Sequence, residues 1–372
     1  MPGGVARADA RALPLADGSV NLVVTSPPYF GQRRYGCPGE IGGETDAASY
    51  LRELWACTAE MLRVLAPGGS LWVNLGDKMV ADNRGSNPDR LRPGKHAPPG
   101  PAGFGGRDMG RKGTRLLLPH RYAIGCMDQL GLIVRTEAVW AKADALTDNA
   151  PDRFQHTHEY LFHLTRERSY YHDMDQVRVP YLQPDRVRAD VFGGRSSALG
   201  VRHAGAGVYT GPVNALGKLP GSVWQVNATP LNPPPYTALW AGGGMDWLGE
   251  DDAWAWCRFT GVWASRLPRD DTRLELRATS SHHAAFPFGL VRPLVLAFCP
   301  PGGVVLDPFG GTGTTALVAD VLGRRGLSFD ASGDYGWLAR WRLQDPKERA
   351  KAAEQPPPPK PKVAAWTMES MF

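Results

Sequence analysis

A glycine-rich segment near the C-terminus combines acidic residues with a turn, as a cofactor site requires. The apolar run Gly303–Asp307 ends on an acid, and Pro308–Gly313 follows it as a turn. Glycines between a strand and a helix let the backbone approach a bound ligand closely. A second acid, Asp330, ends the next short apolar segment, where it can hydrogen-bond ribose hydroxyls. The candidate residues for binding a nucleoside-bearing cofactor are Asp307, Pro308, Phe309, Gly310, Gly311, Gly313 and Asp330.

Three classes of cofactor compete for this pattern. A nucleoside triphosphate site would need lysine where Gly313 stands. The spacing Gly311-x-Gly313-x-x-Ala316, with Asp330 downstream, also fits a dinucleotide fingerprint. Asp307 at the first turn would repel a pyrophosphate, whereas it suits the cationic amino end of S-adenosylmethionine. The residues therefore favour S-adenosylmethionine over a dinucleotide.

A second group of residues, Ser26-Pro27-Pro28-Tyr29, follows the apolar run Val20–Thr25. The two prolines fix the backbone and donate no N–H, which leaves carbonyl oxygens to accept hydrogen bonds. Ser26 adds an acceptor, and Tyr29 adds a flat face for stacking. Such a loop could hold an exocyclic amino group in line with a methylsulfonium. A simple Pro-Pro turn would explain the prolines but not the other residues.

These groups, in this order, resemble the amino-methylating DNA methyltransferases in the permuted arrangement with the catalytic motif first and the cofactor motif last. Ser26–Tyr29 matches the catalytic tetrapeptide, and Asp307–Gly313 matches the cofactor motif. Asp9 is the best match to the acid that the family places near the adenine ring. The resemblance extends over most of the chain, and its further matching segments are 29–36, 71–77, 139–142, 158–162 and 283–287.

The resemblance implies methyl transfer to an exocyclic amino group in double-stranded DNA. The target base must be flipped out of the duplex, because the methyl donor cannot reach it in line within the stack. Ser26 and the Pro27 carbonyl would accept the amino protons, and Tyr29 would stack on the base. Phe309 and the Gly310–Gly313 backbone would flank the cofactor, whose ribose Asp330 would hold. No metal is implied, and a cognate restriction endonuclease is a possible partner in function.

The target base is predicted from Ser26. Within the family, serine before Pro-Pro-Tyr goes mostly with cytosine N4, and aspartate mostly with adenine N6. Cytosine N4 is therefore favoured, with adenine N6 as the alternative. A non-catalytic DNA-binding descendant is a further alternative, which the two intact motifs argue against. Methylation of RNA or protein is disfavoured because the related signature usually carries asparagine at this position.

Composition sets broader limits on the protein class. The 372 residues carry a formal charge of +5, a mild excess that fits a polyanionic partner but also many unrelated proteins. No apolar run is long enough for a membrane helix, and the N-terminus lacks the apolar stretch of a signal peptide, so a cytoplasmic protein without a membrane partner is expected. The five cysteines lack C-x-x-C spacing, which predicts reduced structural thiols.

The elements that must position these motifs alternate between strand and helix, which predicts an α/β sheet. The expected fold is a Rossmann-like S-adenosylmethionine-dependent methyltransferase sheet with an inserted target recognition region. The strands are predicted at 20–25, 70–75, 132–140, 159–164, 304–307 and 327–330. The helices are predicted at 46–65, 119–130, 288–298, 314–322 and 335–343.

Four segments follow from this pattern. Residues 1–180 would form the catalytic half, 181–278 the inserted recognition region, 279–345 the cofactor-binding half, and 346–372 a disordered tail. The tryptophan-rich stretch 232–278 matches no family motif; it is either an elaborated recognition module or a small core, and the small core is slightly favoured. The Gly/Arg-rich segment 81–113 is expected to face either DNA or solvent, and its arginines include Arg90, Arg107 and Arg111.

Overall fold

In the described part of the chain, the fold is built around one eight-stranded sheet. The computed structural model describes residues 4–31, 39–80, 111, 113–142, 152–181, 214–227 and 286–354, apart from the side chains of 333, 334 and 337. The strands are β1 Gly4–Arg7, β2 Val20–Thr25, β3 Leu65–Leu75, β4 Ile133–Ala141, β5 His158–Thr165, β6 Val223–Gln225, β7 Val304–Asp307 and β8 Arg325–Asp330. The helices are α1 Ala47–Val64, α2 Leu118–Leu130, α3 Phe288–Phe298, α4 Thr314–Val321, α5 Gly333–Gln344 and α6 Pro346–Ala352, with a 3₁₀ turn at Met174–Val177.

The strand order across the sheet is β1-β8-β7-β2-β3-β5-β4-β6. The five strands from β1 to β3 pair in parallel, whereas β5 pairs antiparallel with both β3 and β4. Every strand except β5 therefore runs in one direction. The chain reverses its order in the middle of the sheet, since the late strands β7 and β8 lie between the early strands β1 and β2.

Helices cover both faces of the sheet. Successive residues of a strand point to opposite faces, and in β3 Leu71 and Val73 belong to one apolar cluster while Trp72 belongs to the other. The first cluster contains the buried faces of α1 and α2. The second contains α3 and α4. The predicted α/β class is confirmed.

Local sequence explains why α1 begins and ends where it does. Asp46 precedes the helix and accepts a hydrogen bond from the Ser49 amide at 2.7 Å, a side-chain cap that satisfies a free N–H of the first turn. Tyr50, Leu54 and Met61 repeat at helical spacing and are buried. The helix ends at Val64, and β3 begins directly after it. The predicted strand 70–75 is therefore the inner part of a longer one.

Besides the 3₁₀ turn, three short elements in the described part of the chain were not among the predicted ones. Strand β1 adds an edge beside β8, and β6 pairs in parallel with β4. Since β6 lies within 181–278, part of the predicted insert extends the sheet, while most of it, including 232–278, lies outside the described residues. The third element, α6, corrects the predicted tail, because residues 346–352 form a packed helix in which Ala352 is fully buried. Residues 355–372 lie outside the described part.

Two further expectations from the sequence concern the cysteines and membrane-spanning helices. Of the five cysteines, Cys57, Cys126 and Cys299 are described; each is free and buried. In the described part of the chain, no helix is long and apolar enough to cross a membrane.

Candidate active site

The polar residues of both motifs lie at one edge of the sheet. Parallel strands end at the same edge, and ligands of α/β sheets bind there, where the strand order reverses. Strand β2 ends at Thr25, directly before the Ser26–Tyr29 loop, and its neighbour β7 ends at Asp307. The antiparallel β5 begins at this edge with His158 and Glu159. The fold thus brings the two predicted constellations together.

A hydrogen bond joins the residue before the Ser26–Tyr29 loop to the cofactor motif. The Thr25 hydroxyl donates to Asp307 Oδ1 at 2.6 Å, although 282 residues separate them in sequence. Thr315, in the first turn of α4, donates to Asp307 Oδ2 at 2.9 Å. Burial raises the pKa of Asp307 to about 6, against the lowering effect of these hydrogen bonds. Asp307 therefore ties the loop after β2 to the turn after β7.

The backbone amides of the glycine turn are directed into the protein. Those of Phe309, Gly310, Gly311 and Gly313 donate, in that order, to Asp307 Oδ1 (3.1 Å), the Phe329 carbonyl (2.7 Å), Asp330 Oδ2 (2.9 Å) and the Gly310 carbonyl (2.7 Å). A phosphate-binding turn aims its free amides at the ligand. With these four amides engaged internally, the turn favours a cofactor without a pyrophosphate.

The turn remains open toward a ligand at Gly311. This residue has φ +48°, and a Cβ added to it would meet nothing nearer than the Phe309 carbonyl oxygen at 3.9 Å. A carboxylate offers about four lone-pair positions; from the described residues, Asp307 accepts three hydrogen bonds and Asp330 two, the latter from the Gly311 and Ser332 amides. Positions therefore remain for an ammonium group and for ribose hydroxyls. This acidic set fits S-adenosylmethionine.

Asp9 lies beside this region, after β1. The Ala8 amide donates to the Asp330 carbonyl at 3.1 Å, which places the start of the Asp9 turn at the same edge. The Asp9 carboxylate pairs with Arg11 at 2.8 Å, and Arg11 also contacts Glu53 at 2.8 Å. The hydrogen bonds from Arg11 lower the pKa of Asp9. Its role near the adenine ring stays a prediction.

The Ser26–Tyr29 loop is held by its surroundings. The Tyr50 hydroxyl donates to the Pro28 carbonyl at 2.8 Å, while Pro27 is buried. The Tyr29 ring lies so close to Gly76 that a Cβ added there would be 2.8 Å from ring carbon Cε2. Only glycine admits the ring at this distance without a shift.

A polar network around Tyr29 was not predicted from the sequence. The Tyr29 hydroxyl donates to Glu159 Oε2 at 2.6 Å, and Asn74 Nδ2 donates to both the Tyr29 oxygen, at 2.8 Å, and Glu159 Oε2, at 2.9 Å. Lys142 forms an ion pair with Glu159 Oε1. A different segment that resembles a family motif supplies each of these residues, Asn74, Lys142 and Glu159. The sequence alone gives one indication that the three side chains are close together, namely that each lies at or next to the end of a strand on this side of the sheet.

The network and the catalytic serine are more loosely connected. Ser26 Oγ lies 3.4 Å from both the Tyr29 oxygen and Asn74 Nδ2, a long distance for a hydrogen bond to a hydroxyl. Burial, followed by the charge of Glu159, raises the pKa of Tyr29 well above its ordinary value. Tyr29 is therefore a neutral hydrogen-bond donor, and Ser26 keeps acceptor capacity for a ligand.

No group of three or more His, Cys, Asp or Glu side chains in the described ranges could hold a metal ion.

The sheet and its joined motifs define a methyltransferase of the α/β class. The model of the N6_N4_Mtase family, described as DNA methylase, matches residues 20–339, and the chain belongs to this family. Membership confirms the predicted methyltransferase fold and S-adenosylmethionine as the cofactor. It also confirms the predicted function at the level of a DNA methyltransferase.

Individual proteins agree with this assignment. The type II methyltransferase M.XycI of Xanthomonas campestris pv. cyanopsidis is 31% identical over 334 residues, covering 89% of this chain and 83% of that protein. M.Cfr9I of Citrobacter freundii, also a type II methyltransferase, is 30% identical with the same coverage. Among solved structures, the PvuII DNA methyltransferase (cytosine-N4-specific) aligns with a TM-score of 0.54 and 18% identity, covering 95% of this chain and 91% of that one. At that identity the likeness concerns the fold.

Proposed function

We propose that this chain transfers the methyl group of S-adenosylmethionine to the exocyclic amino nitrogen of a base flipped out of double-stranded DNA, with cytosine N4 as the favoured target. The observation that carries the proposal is the 2.6 Å hydrogen bond from Thr25 to Asp307. It holds the loop that would receive the base against the turn that would receive the methyl donor. Proximity and alignment of the reacting atoms are the main requirements of such an in-line transfer.

The Ser26–Tyr29 loop would hold the amino group. The Pro28 carbonyl is occupied by Tyr50, so the Ser26 hydroxyl and the Pro27 carbonyl are the acceptors left for the amino protons. S-adenosylmethionine would supply an electrophilic methyl group, so the amino nitrogen would bond to that carbon as the carbon–sulfur bond breaks, with S-adenosylhomocysteine as the leaving group. The nitrogen then loses one proton, through these acceptors, to water. The Tyr29 ring would stack on the base during transfer.

The cofactor would lie across the ends of β7, β8 and β1. Asp307 would accept from its ammonium group, and Asp330 from its ribose hydroxyls. Pro308, Phe309 and the Gly310–Gly313 backbone would line it, and Asp9 would lie near its adenine ring. The open side of Gly311 and the remaining lone pairs of the two acids support this placement.

Cytosine N4 is favoured because, within the family, serine before Pro-Pro-Tyr goes mostly with cytosine N4. The neutral hydroxyl of Ser26 both accepts and donates, whereas aspartate offers a charged acceptor only. The long 3.4 Å contacts of Ser26 leave that hydroxyl able to turn toward a base. Adenine N6 is the alternative target.

The larger context follows from the same proposal. The chain would have the permuted motif order, and residues 181–278 would read the DNA sequence. The relatives M.XycI and M.Cfr9I are type II methyltransferases, which supports a role in modification beside a cognate restriction endonuclease. Its substrate would place the protein in the bacterial cytoplasm.

Nucleoside analysis tests the reaction. The purified protein is incubated with S-adenosylmethionine and unmethylated genomic DNA, and the digested nucleosides are separated by mass spectrometry. The expected new nucleoside is N4-methylcytosine. Formation of N6-methyladenine alone would overturn the cytosine assignment, and the absence of any methylated nucleoside on varied DNA would overturn the proposed function.

A further inference from the structure

The Tyr29 side chain is fixed at both of its ends. Its backbone belongs to a loop that Tyr50 holds through the Pro28 carbonyl. Its hydroxyl receives a hydrogen bond from Asn74 and gives its single proton to Glu159. An ionised carboxylate only accepts, so the direction of the Tyr29–Glu159 bond is unambiguous.

The orientation of the Asn74 amide is set by the same carboxylate. Nδ2, the donor atom, must face Glu159 Oε2, which lies at 2.9 Å. Asn74 Oδ1 is then buried without a hydrogen-bond partner in the described part of the chain. Leaving a buried acceptor unpaired costs free energy. The amide keeps this orientation because its protons are donated to Tyr29 and Glu159.

The two oxygens of Glu159 have separate partners. Oε2 faces Tyr29 and Asn74, and Oε1 pairs with Lys142. Lys142 is itself held, because its ammonium lies 4.3 Å from the centre of the Trp140 ring and its amide donates to the Thr157 carbonyl at 2.8 Å. Trp140 belongs to β4, where it is opposite Glu159, and Thr157 directly precedes β5. The carboxylate therefore stands on a rigid part of the sheet.

We propose that Glu159, whose negative charge is balanced by Lys142, is a positioning residue. It fixes the Tyr29 ring for the target base through the Tyr29 hydroxyl. This inference rests on the proposed function, in which Tyr29 stacks on the base. A ring without its hydroxyl anchor could rotate and let the amino nitrogen move off the line of transfer. A misaligned amino nitrogen reduces the rate of methyl transfer more than it weakens cofactor binding.

A double-mutant cycle tests the proposal. Tyr29→Phe removes only the hydroxyl, and Glu159→Gln keeps the shape of the side chain but removes its charge. Each single variant is expected to slow single-turnover methyl transfer, with DNA and cofactor saturating, by about 10- to 100-fold, as expected for one charge-assisted hydrogen bond. The double variant should be no slower than Tyr29→Phe alone, because Glu159 acts through the hydroxyl. Cofactor affinity measured by calorimetry should stay unchanged in all three.

Glu137→Gln is the control, since Glu137 is an exposed β4 carboxylate that pairs with His120. It should transfer methyl groups at the wild-type rate. If Glu159→Gln does not fold, Lys142→Met replaces it in the same cycle. Losses that multiply in the double variant, or a wild-type rate in Tyr29→Phe, would overturn the positioning role. A wild-type protein that methylates no DNA would instead overturn the proposed function, so the two failures are distinguishable.

Discussion

At the scale of the residue, the sequence predicted the site motifs but not their surroundings. Ser26–Tyr29 and Asp307–Gly313 could be recognised because each is a compact run of unusual composition. The partners of Tyr29 could not, since Glu159 is 130 residues away and meets it only when β5 pairs with β3. Common residue types at strand ends carry no local pattern that would single them out.

The contact between Gly76 and Tyr29 gives a prediction at this scale. A methyl group at position 76 would force the Tyr29 ring to move. We expect Gly76→Ala to slow methyl transfer by up to about 100-fold, because a misplacement of about 1 Å can have that effect. Calorimetry should find cofactor affinity unchanged. Gly43→Ala is the control, since a Cβ there makes only ordinary contacts with Glu40; equal rates in both variants would contradict the argument.

A second residue-scale prediction concerns Asp307 and pH. Burial raises its pKa to about 6, so between pH 4 and 6 the folded chain binds this proton more readily than the unfolded chain does. The contribution of Asp307 to stability therefore falls as the pH rises through this range, by up to about 3 kcal/mol. Asp307→Asn lacks this dependence. Urea unfolding from pH 4.5 to 7 should show the variant gaining stability relative to wild type; parallel profiles would contradict the assigned cause.

At the scale of the element, periodic segments were predictable and short ones were not. Helix α3 was predicted with its observed bounds, because its apolar residues favour a buried helix over other local structures. Helix α6 was predicted as tail, since its sequence PKERAKA is mostly polar. Asp345 caps it by accepting from the Lys347 and Glu348 amides. It is also held by tertiary contacts that the local sequence does not show, among them the pair of Arg342 on α5 and Glu348.

This buried pair connects α6 to the cofactor turn. Arg342 donates to Glu348 at 3.0 Å and to the Thr312 carbonyl at 2.8 Å, and both charged side chains are at most 5% exposed. We expect Glu348→Ala to lower the free energy of unfolding by about 3–5 kcal/mol, because it leaves a buried guanidinium without its counter-charge. Urea denaturation followed by circular dichroism measures this.

The control for that prediction is an exposed ion pair at the end of the same segment. Glu354 lies 3.4 Å from Arg292 and its side chain is 63% exposed. Glu354→Ala should change stability by less than about 1 kcal/mol. Equal effects of the two substitutions would show that α6 is not anchored through Arg342.

At the scale of the whole molecule, the alternation of strands and helices was enough to predict the α/β class. The sheet edges were not predictable, since β1 and β6 are only four and three residues long. The net charge of +5 leads to a prediction about DNA binding.

We expect the arginines of segment 81–113 to contact DNA phosphates. Arg111 is exposed, while Arg90 and Arg107 lie outside the described residues. Changing all three to glutamine should flatten the dependence of the logarithm of DNA affinity on the logarithm of salt concentration, by about 0.9 for each phosphate that is no longer neutralised. Fluorescence anisotropy with labelled duplexes over a salt series gives the slope. An unchanged slope would assign the segment to solvent.

The order of strands also determines when this protein can assemble. Strands β7 and β8 come late in the chain yet lie between β1 and β2, so the sheet cannot close until most of the polypeptide has been made. Until then β2 has an unpaired edge on the side that β7 will occupy, and such edges invite association between chains. Because contacts as distant in sequence as Thr25 and Asp307 form slowly, folding of the catalytic centre is a late event, and no N-terminal fragment ending before β7 can contain it.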